Sequence, residues 1–139
     1  MSDILTAVVG ILEAQSEITD LVAGRTHADR LPQGTIMPAI ALWVVNETAH
    51  DYLAGPMGLD QPVVRIECYA TRRLGANTLR RLVREHLAGY SGTSDSLYIK
   101  GVAQERGQSQ RTDRVGSGED EYRYVSSQDF RVTYDEVSV

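Results

Sequence analysis

The spacing of hydrophobic residues changes several times along the chain, and each change predicts an element. Ile4, Leu5, Val8, Ile11 and Leu12 recur at three- and four-residue intervals, the spacing of one helical face, and Ser2 with Asp3 stands where an N-cap belongs. This predicts an amphipathic helix to about Gln15. A second short helical segment, Ser16 to Leu21, can close at Gly24, which is free to take the left-handed conformation. Leu31-Pro32-Gln33-Gly34 and Met37-Pro38 then exclude helix and suit turns, leaving room for a brief edge strand from His27 to Leu31.

Ala39 to Val45 is apolar without interruption and too short for a helix, which predicts a central strand buried on both faces and anchored by Trp43. From Glu47 to Gln61, large apolar residues alternate with residues that oppose regular structure, so a loop with adhesive contents is expected. Val63 to Thr71 alternates cleanly: Val64, Ile66, Cys68 and Ala70 fall on one face, and Val63, Arg65, Glu67 and Tyr69 on the other. That pattern predicts a half-buried strand.

After Thr71 the period returns to helical. Leu79, Leu82, Val83, His86 and Leu87 share one face, with Gly89 as a stop, while Arg73, Arg80, Arg81 and Arg84 gather on the opposite side. Leu97 to Ala103 and Tyr122 to Tyr134 read as further strands, the second with Phe130, Val132 and Tyr134 inward. The polar, charged and glycine-containing stretch between them, about residues 104–121, is expected to form a long hairpin arm or mobile loop beyond the sheet. The sum is a single α+β domain over residues 1–139: a mostly antiparallel β-sheet with two helices packed on one face.

Composition adds little to the fold and more to the function. A chain of 139 residues can bury an adequate core without staples, and 42% hydrophobic with 24% charged residues is ordinary globular usage. The lone Cys68 is expected to be a small core residue. A net charge of −5 argues against tight wrapping of nucleic acid. The charge is nevertheless placed in blocks. Residues 1–60 hold two basic groups against eight acids, residues 61–100 seven against three, and residues 101–139 five against eight. Blocks of this kind suit subunits that attract their neighbours.

Recognisable enzyme chemistry is missing. His27, His50 and His86 lie in different predicted elements, no metal-ligand spacing occurs, and no nucleophile elbow or phosphate-binding loop is present. No catalytic residue, metal or cofactor is therefore expected. His86 reads as a boundary histidine, and the arginine face as solvated, paired with an acidic neighbour, or in contact with DNA, although no aromatic residues interleave with it as stacking platforms. The loop carrying Tyr52, Leu53, Pro56, Met57 and Leu59 is unusually apolar for a surface segment. It either folds over the sheet edge or is an assembly contact.

Three stretches carry a family resemblance: Arg30-Leu31-Pro32-Gln33-Gly34 with Met37-Pro38-Ala39-Ile40, Asp51-Tyr52-Leu53-Ala54-Gly55-Pro56 continuing to Val64-Arg65-Ile66-Glu67-Cys68-Tyr69-Ala70, and Phe130-Arg131-Val132-Thr133-Tyr134. In order and spacing they resemble the tail-completion, or tail-terminator, proteins of long-tailed phages and related particles. The second helix departs from the resemblance: it begins Arg72-Arg73-Leu74-Gly75 and is basic, where those proteins are often richer in alanine and acids. The resemblance implies a structural virion protein, made in the host bacterial cytoplasm. Its role would be a hexameric ring at the head-proximal end of the tail, which ends tube polymerisation and joins the tail to the head connector.

The partners so implied are other copies of the chain, the tail tube protein, and a head-completion or connector protein. Double-stranded DNA would pass through the lumen without specific binding, and no membrane is involved. Contacts are expected from the loop Tyr52 to Leu59, from Glu105, Arg106, Arg111, Asp113 and Arg114 on the arm, and from the arginine face between subunits. Two alternatives stand beside this reading, a head-completion protein on the portal side and a small nucleic-acid-binding module.

Overall fold

The structure is a computed structural model that describes residues 4–32, 34–46, 61–94, 97–114 and 122–136. Helix α1 spans Ile4–Glu13 and buries the stripe its spacing predicts, with Ile4, Leu5, Val8, Ile11 and Leu12 all turned into the core together with Ala7. Its candidate cap, Ser2 and Asp3, lies outside the described residues. Helix α2, Ser16–Val22, buries Ile18 and Val22. Both Ala23 and Gly24 take positive φ, and the Ala23 N–H donates to the Thr19 carbonyl at 2.8 Å. The stop expected at glycine thus begins one residue earlier.

Among the described residues six strands form one sheet: β1 Thr26–Ala28, β2 Ala39–Asn46, β3 Val63–Ala70, β4 Gly92–Ser94, β5 Leu97–Arg114 and β6 Tyr122–Glu136. The order across the sheet is β1-β2-β3-β6-β5-β4. Only β1 and β2 pair in parallel, and every other neighbour is antiparallel. Helix α3, Arg73–Leu87, lies over β3 and β6 and buries Ala76, Leu79, Leu82, Val83 and Leu87. It ends as the sequence predicts: Gly89 has φ 81° and donates its N–H to the Val102 carbonyl at 2.8 Å, which ties the helix end to β5. The architecture is the expected α+β one, with three helices among the described residues against the sheet where two were expected.

The main core lies between that helical layer and Ile40, Leu42, Val64, Ile66, Cys68, Val102, Phe130 and Val132. Against β4, α1 comes close enough for Ser94 Oγ to donate to the Ala7 carbonyl at 2.8 Å. A Cβ added at Gly10 would sit 3.2 Å from that hydroxyl oxygen, so the small residue permits the approach.

Three expectations change. First, β2 is second from the sheet edge and not central: Ala39 to Leu42 are fully buried, but Trp43 and Val44 are half-buried and Val45 is exposed. Trp43 lies on the face away from the main core, in a smaller cluster with Leu31, Met37, Ala41, Tyr69 and Val125. Second, β3 is buried on both faces: Glu67 is 3% exposed and Tyr69 is 4% exposed. Strands pair on both its sides, and the chain around Leu31 and Met37 packs against its second face.

Third, the polar segment expected as a long hairpin arm or mobile loop beyond the sheet does pair as a hairpin with β6 but stays in the sheet, continuing β5 as far as Arg114 opposite β6 from Gln128 back to Tyr122. The register shifts between Gln104 and Gln108, so two differently registered runs make one long strand. Ser109, Arg111 and Asp113 alternate there with Gln110 and Thr112. Both faces of that run are polar, so it carries no hydrophobic period for a sequence reading to detect.

Candidate functional site

Cross-strand register brings together charges that are remote in sequence. On the sheet face opposite the helices, Arg65 stands directly across from Asp129, Glu67 across from Ser127, and Tyr69 across from Val125. On the next strand, Arg111 pairs with Val125 and Asp113 with Arg123. Arg65 Nε and Nη2 donate to the two carboxylate oxygens of Asp129 at 2.8 and 3.1 Å, a bidentate fork. Arg111 spans β6 to reach Glu67, with Nη2 3.1 Å from Oε1 and Nη1 in contact with Oε2, and its Nε also bonds Asp113. Tyr69 donates its hydroxyl proton to Glu67 Oε1 at 2.5 Å, and the guanidinium of Arg123 lies 4.9 Å from the centre of the Tyr69 ring. Farther along β6, Arg131 Nε donates to Glu105 at 2.6 Å.

Arg65, Arg111, Arg123 and Arg131 therefore face Asp129, Glu67, Asp113 and Glu105, four cations against four anions. Hydrogen bonds to the carboxylates raise the pKa of Arg65 and Arg111, so both stay charged at every accessible pH. Burial first, and then the bond to Glu67, pushes the Tyr69 phenol up as well. Each carboxylate is occupied by an arginine, and the chemistry this favours is the clamping of β5, β6 and β3 to one another. Beside this cluster an open groove of about 490 Å³ is lined by Asp29, Arg30, Leu31, Trp43, Glu67, Tyr69 and Arg123.

The second charged surface is the predicted one. Arg73, Arg81 and Arg84 are exposed on α3 and Arg80 is half-buried. Arg80, Arg81 and Arg84 join Leu74, Asn77 and Gln128 around a groove of about 260 Å³ between α3 and β6. Arg73 stacks 5.7 Å from the centre of the Tyr124 ring, and Arg81 Nε lies 3.9 Å from Glu85. His86 faces the other way, its Nε2 3.3 Å from Glu17 on α2. The arginines anticipated from the sequence thus share one helix side.

Of the anticipated arm residues, Glu105, Arg111 and Asp113 are in the charge cluster, while Arg106 and Arg114 are carried on β5 with side chains outside the described residues. Tyr52, Leu53, Pro56, Met57 and Leu59 also lie outside the described residues. The sequence reading missed the cluster formed with Arg65, Glu67, Asp129 and Arg123. Its signal was present in the alternation of Arg65, Glu67 and Tyr69, but their partners depend on strand order. Among the described residues no group of three or more His, Cys, Asp and Glu could hold a metal ion. No helix among them is long and apolar enough to cross a membrane.

No curated protein matches the chain. Among solved structures, a chain from the virion of a native gene transfer agent (GTA) particle superposes with a TM-score of 0.63 at 18% identity, over 94% of this chain and 92% of that one. That likeness shows a shared fold. The family described as Tail completion protein gp17 matches residues 6–135, from within α1 to the end of β6. With every described element inside or overlapping the match, the chain belongs to the tail completion proteins, structural proteins of the phage tail.

Proposed function

We propose that the chain forms a hexameric ring at the head-proximal end of the tail, where it stops tube polymerisation, joins the tail to a head-completion or connector protein, and leaves a channel for DNA. The observation that carries this reading is the family match across the whole sheet-and-helix body. The charge distribution supports it. A net charge of −5 favours passage of DNA over capture, and the clamped sheet gives a rigid body from which contacts can project. Tyr52, Leu53, Pro56, Met57 and Leu59 are the candidate contacts with tube or connector.

The test is negative-stain electron microscopy of particles made without this chain alone. Overlong tails and tailless heads are expected. Tails of normal length left unjoined would restrict the role to joining, and intact particles would overturn the proposal.

A further inference from the structure

The helical layer is electrically polar, and the two poles lie on opposite flanks of α3. One flank is acidic. Residues 1–24 contain no Lys, Arg or His, and α2 exposes Glu17 and Asp20 at a three-residue spacing that places them on one face, with Leu21 beside them 40% exposed. The other flank is the arginine groove, which Arg81 and Arg84 line together with Leu74, at 77% the most exposed large hydrophobic among the described residues.

Helical geometry fixes their separation. Glu17 touches His86, which is two residues beyond Arg84 and so about 200° around the helix from it. The acidic strip and the arginine strip therefore face away from each other within one chain. Each strip combines an exposed leucine with two charges of one sign, acidic on α2 and basic on α3, where Arg81 also lies 3.9 Å from the exposed Glu85.

We infer that neighbouring copies meet head to tail through these strips, Glu17, Asp20 and Leu21 of one copy against Leu74, Arg81 and Arg84 of the next. The inference rests on the ring reading and deepens it by naming the subunit contact. Two different, complementary patches on opposite flanks make a heterologous contact, the type that closes into a ring when the rotation per subunit allows. Opposite charges set the register and disfavour wrong pairings, and the leucines supply apolar area at the centre. DNA fits the arginine groove less well, because the chain as a whole is acidic.

The test is paired charge reversal in the particle-forming system, with joined particles counted by electron microscopy. Glu17→Lys with Asp20→Lys, and separately Arg81→Glu with Arg84→Glu, should each lower the yield of joined particles by about tenfold or more, since like charges then face each other. Combining all four changes restores attraction at every contact and should bring the yield back to within about threefold of the parent. Circular dichroism of each purified variant separates lost contact from lost fold, and rescue by the fourfold variant does so independently.

Failure of the fourfold variant to rescue, with all variants folded, overturns the inference while leaving the ring reading intact. Loss confined to the arginine variant overturns it in favour of another acidic partner. Assembled particles that no longer pass DNA would assign the arginines to the lumen and overturn it too. If particles form normally without the chain at all, the ring reading and this contact fall together.

Discussion

Arg111 on β5 reaches over β6 to Glu67 on β3, Nη2 to Oε1 at 3.1 Å, and so joins strands that are not neighbours in the sheet. The Glu67 side chain is 5% exposed and that of Arg111 44%, so the pair has a buried anion and a cation partly in water. Replacing Arg111 by leucine strands the carboxylate with Tyr69 as its remaining described partner. Water can follow into the vacated space, so a loss of about 1–3 kcal/mol is expected. A double-mutant cycle with Glu67→Gln, read from denaturant midpoints, should give a coupling above about 1 kcal/mol. Additive losses would show that the two strands are not clamped through this pair.

Core and surface should respond differently. Phe130 is fully buried between the sheet and the helices, and Phe130→Ala should cost about 3–5 kcal/mol through lost burial and the cavity left behind. Leu74→Ser removes an exposed side chain and should change monomer stability by no more than about 0.5 kcal/mol. Thermal unfolding of the two variants checks both values. Equal losses would place Leu74 in the core.

Cys68 gives a dependence on pH. Burial pushes its thiol well above the ordinary value of 9.0. Below about pH 7.5 the thiol is protonated in both the folded and unfolded chain, and it contributes no slope. Above that, the unfolded chain ionises while the folded one does not, so stability falls with rising pH by at most about 1.4 kcal/mol per unit. Cys68→Ala should remove this part of the alkaline loss, and thiol reagents should react with the parent only as it unfolds. The Tyr69 phenol, also raised by burial, adds a loss of the same sign above about pH 10. Rapid labelling of Cys68 in the folded protein at pH 8 would contradict its burial.

Deleting residues 104–113 removes much of β5 and the cluster members Glu105, Arg111 and Asp113. Such a chain should lose its cooperative thermal transition or melt well below the parent. A deletion that left the transition unchanged would mean that this segment is an appendage, as its polarity suggests in sequence.

What could be read from the sequence, and what could not, follows from where the hydrophobic contrast lies. Helices α1 and α3 were legible because Leu12, Leu79 and Leu87 repeat against polar neighbours at the helical period. The arginine strip was legible for the same reason. The burial of Glu67 is not legible in its own strand, because it depends on Arg111, 44 residues away and brought near only by the strand order. The side of the sheet on which Trp43 lies is not legible either, because an unbroken apolar run does not say which face is the main core. The extension of β5 was hidden because strands with polar residues on both faces look like loops.

The proposed role is a ring of this chain that closes the tail at its junction with the head. Cryo-electron microscopy of the junction in intact particles tests it most directly. The expected result is a ring between the last tube ring and the connector into which the described sheet and helices of this chain fit, six times around a channel wide enough for duplex DNA. Density there that this fold cannot fit, or its presence elsewhere in the particle, would contradict the claim.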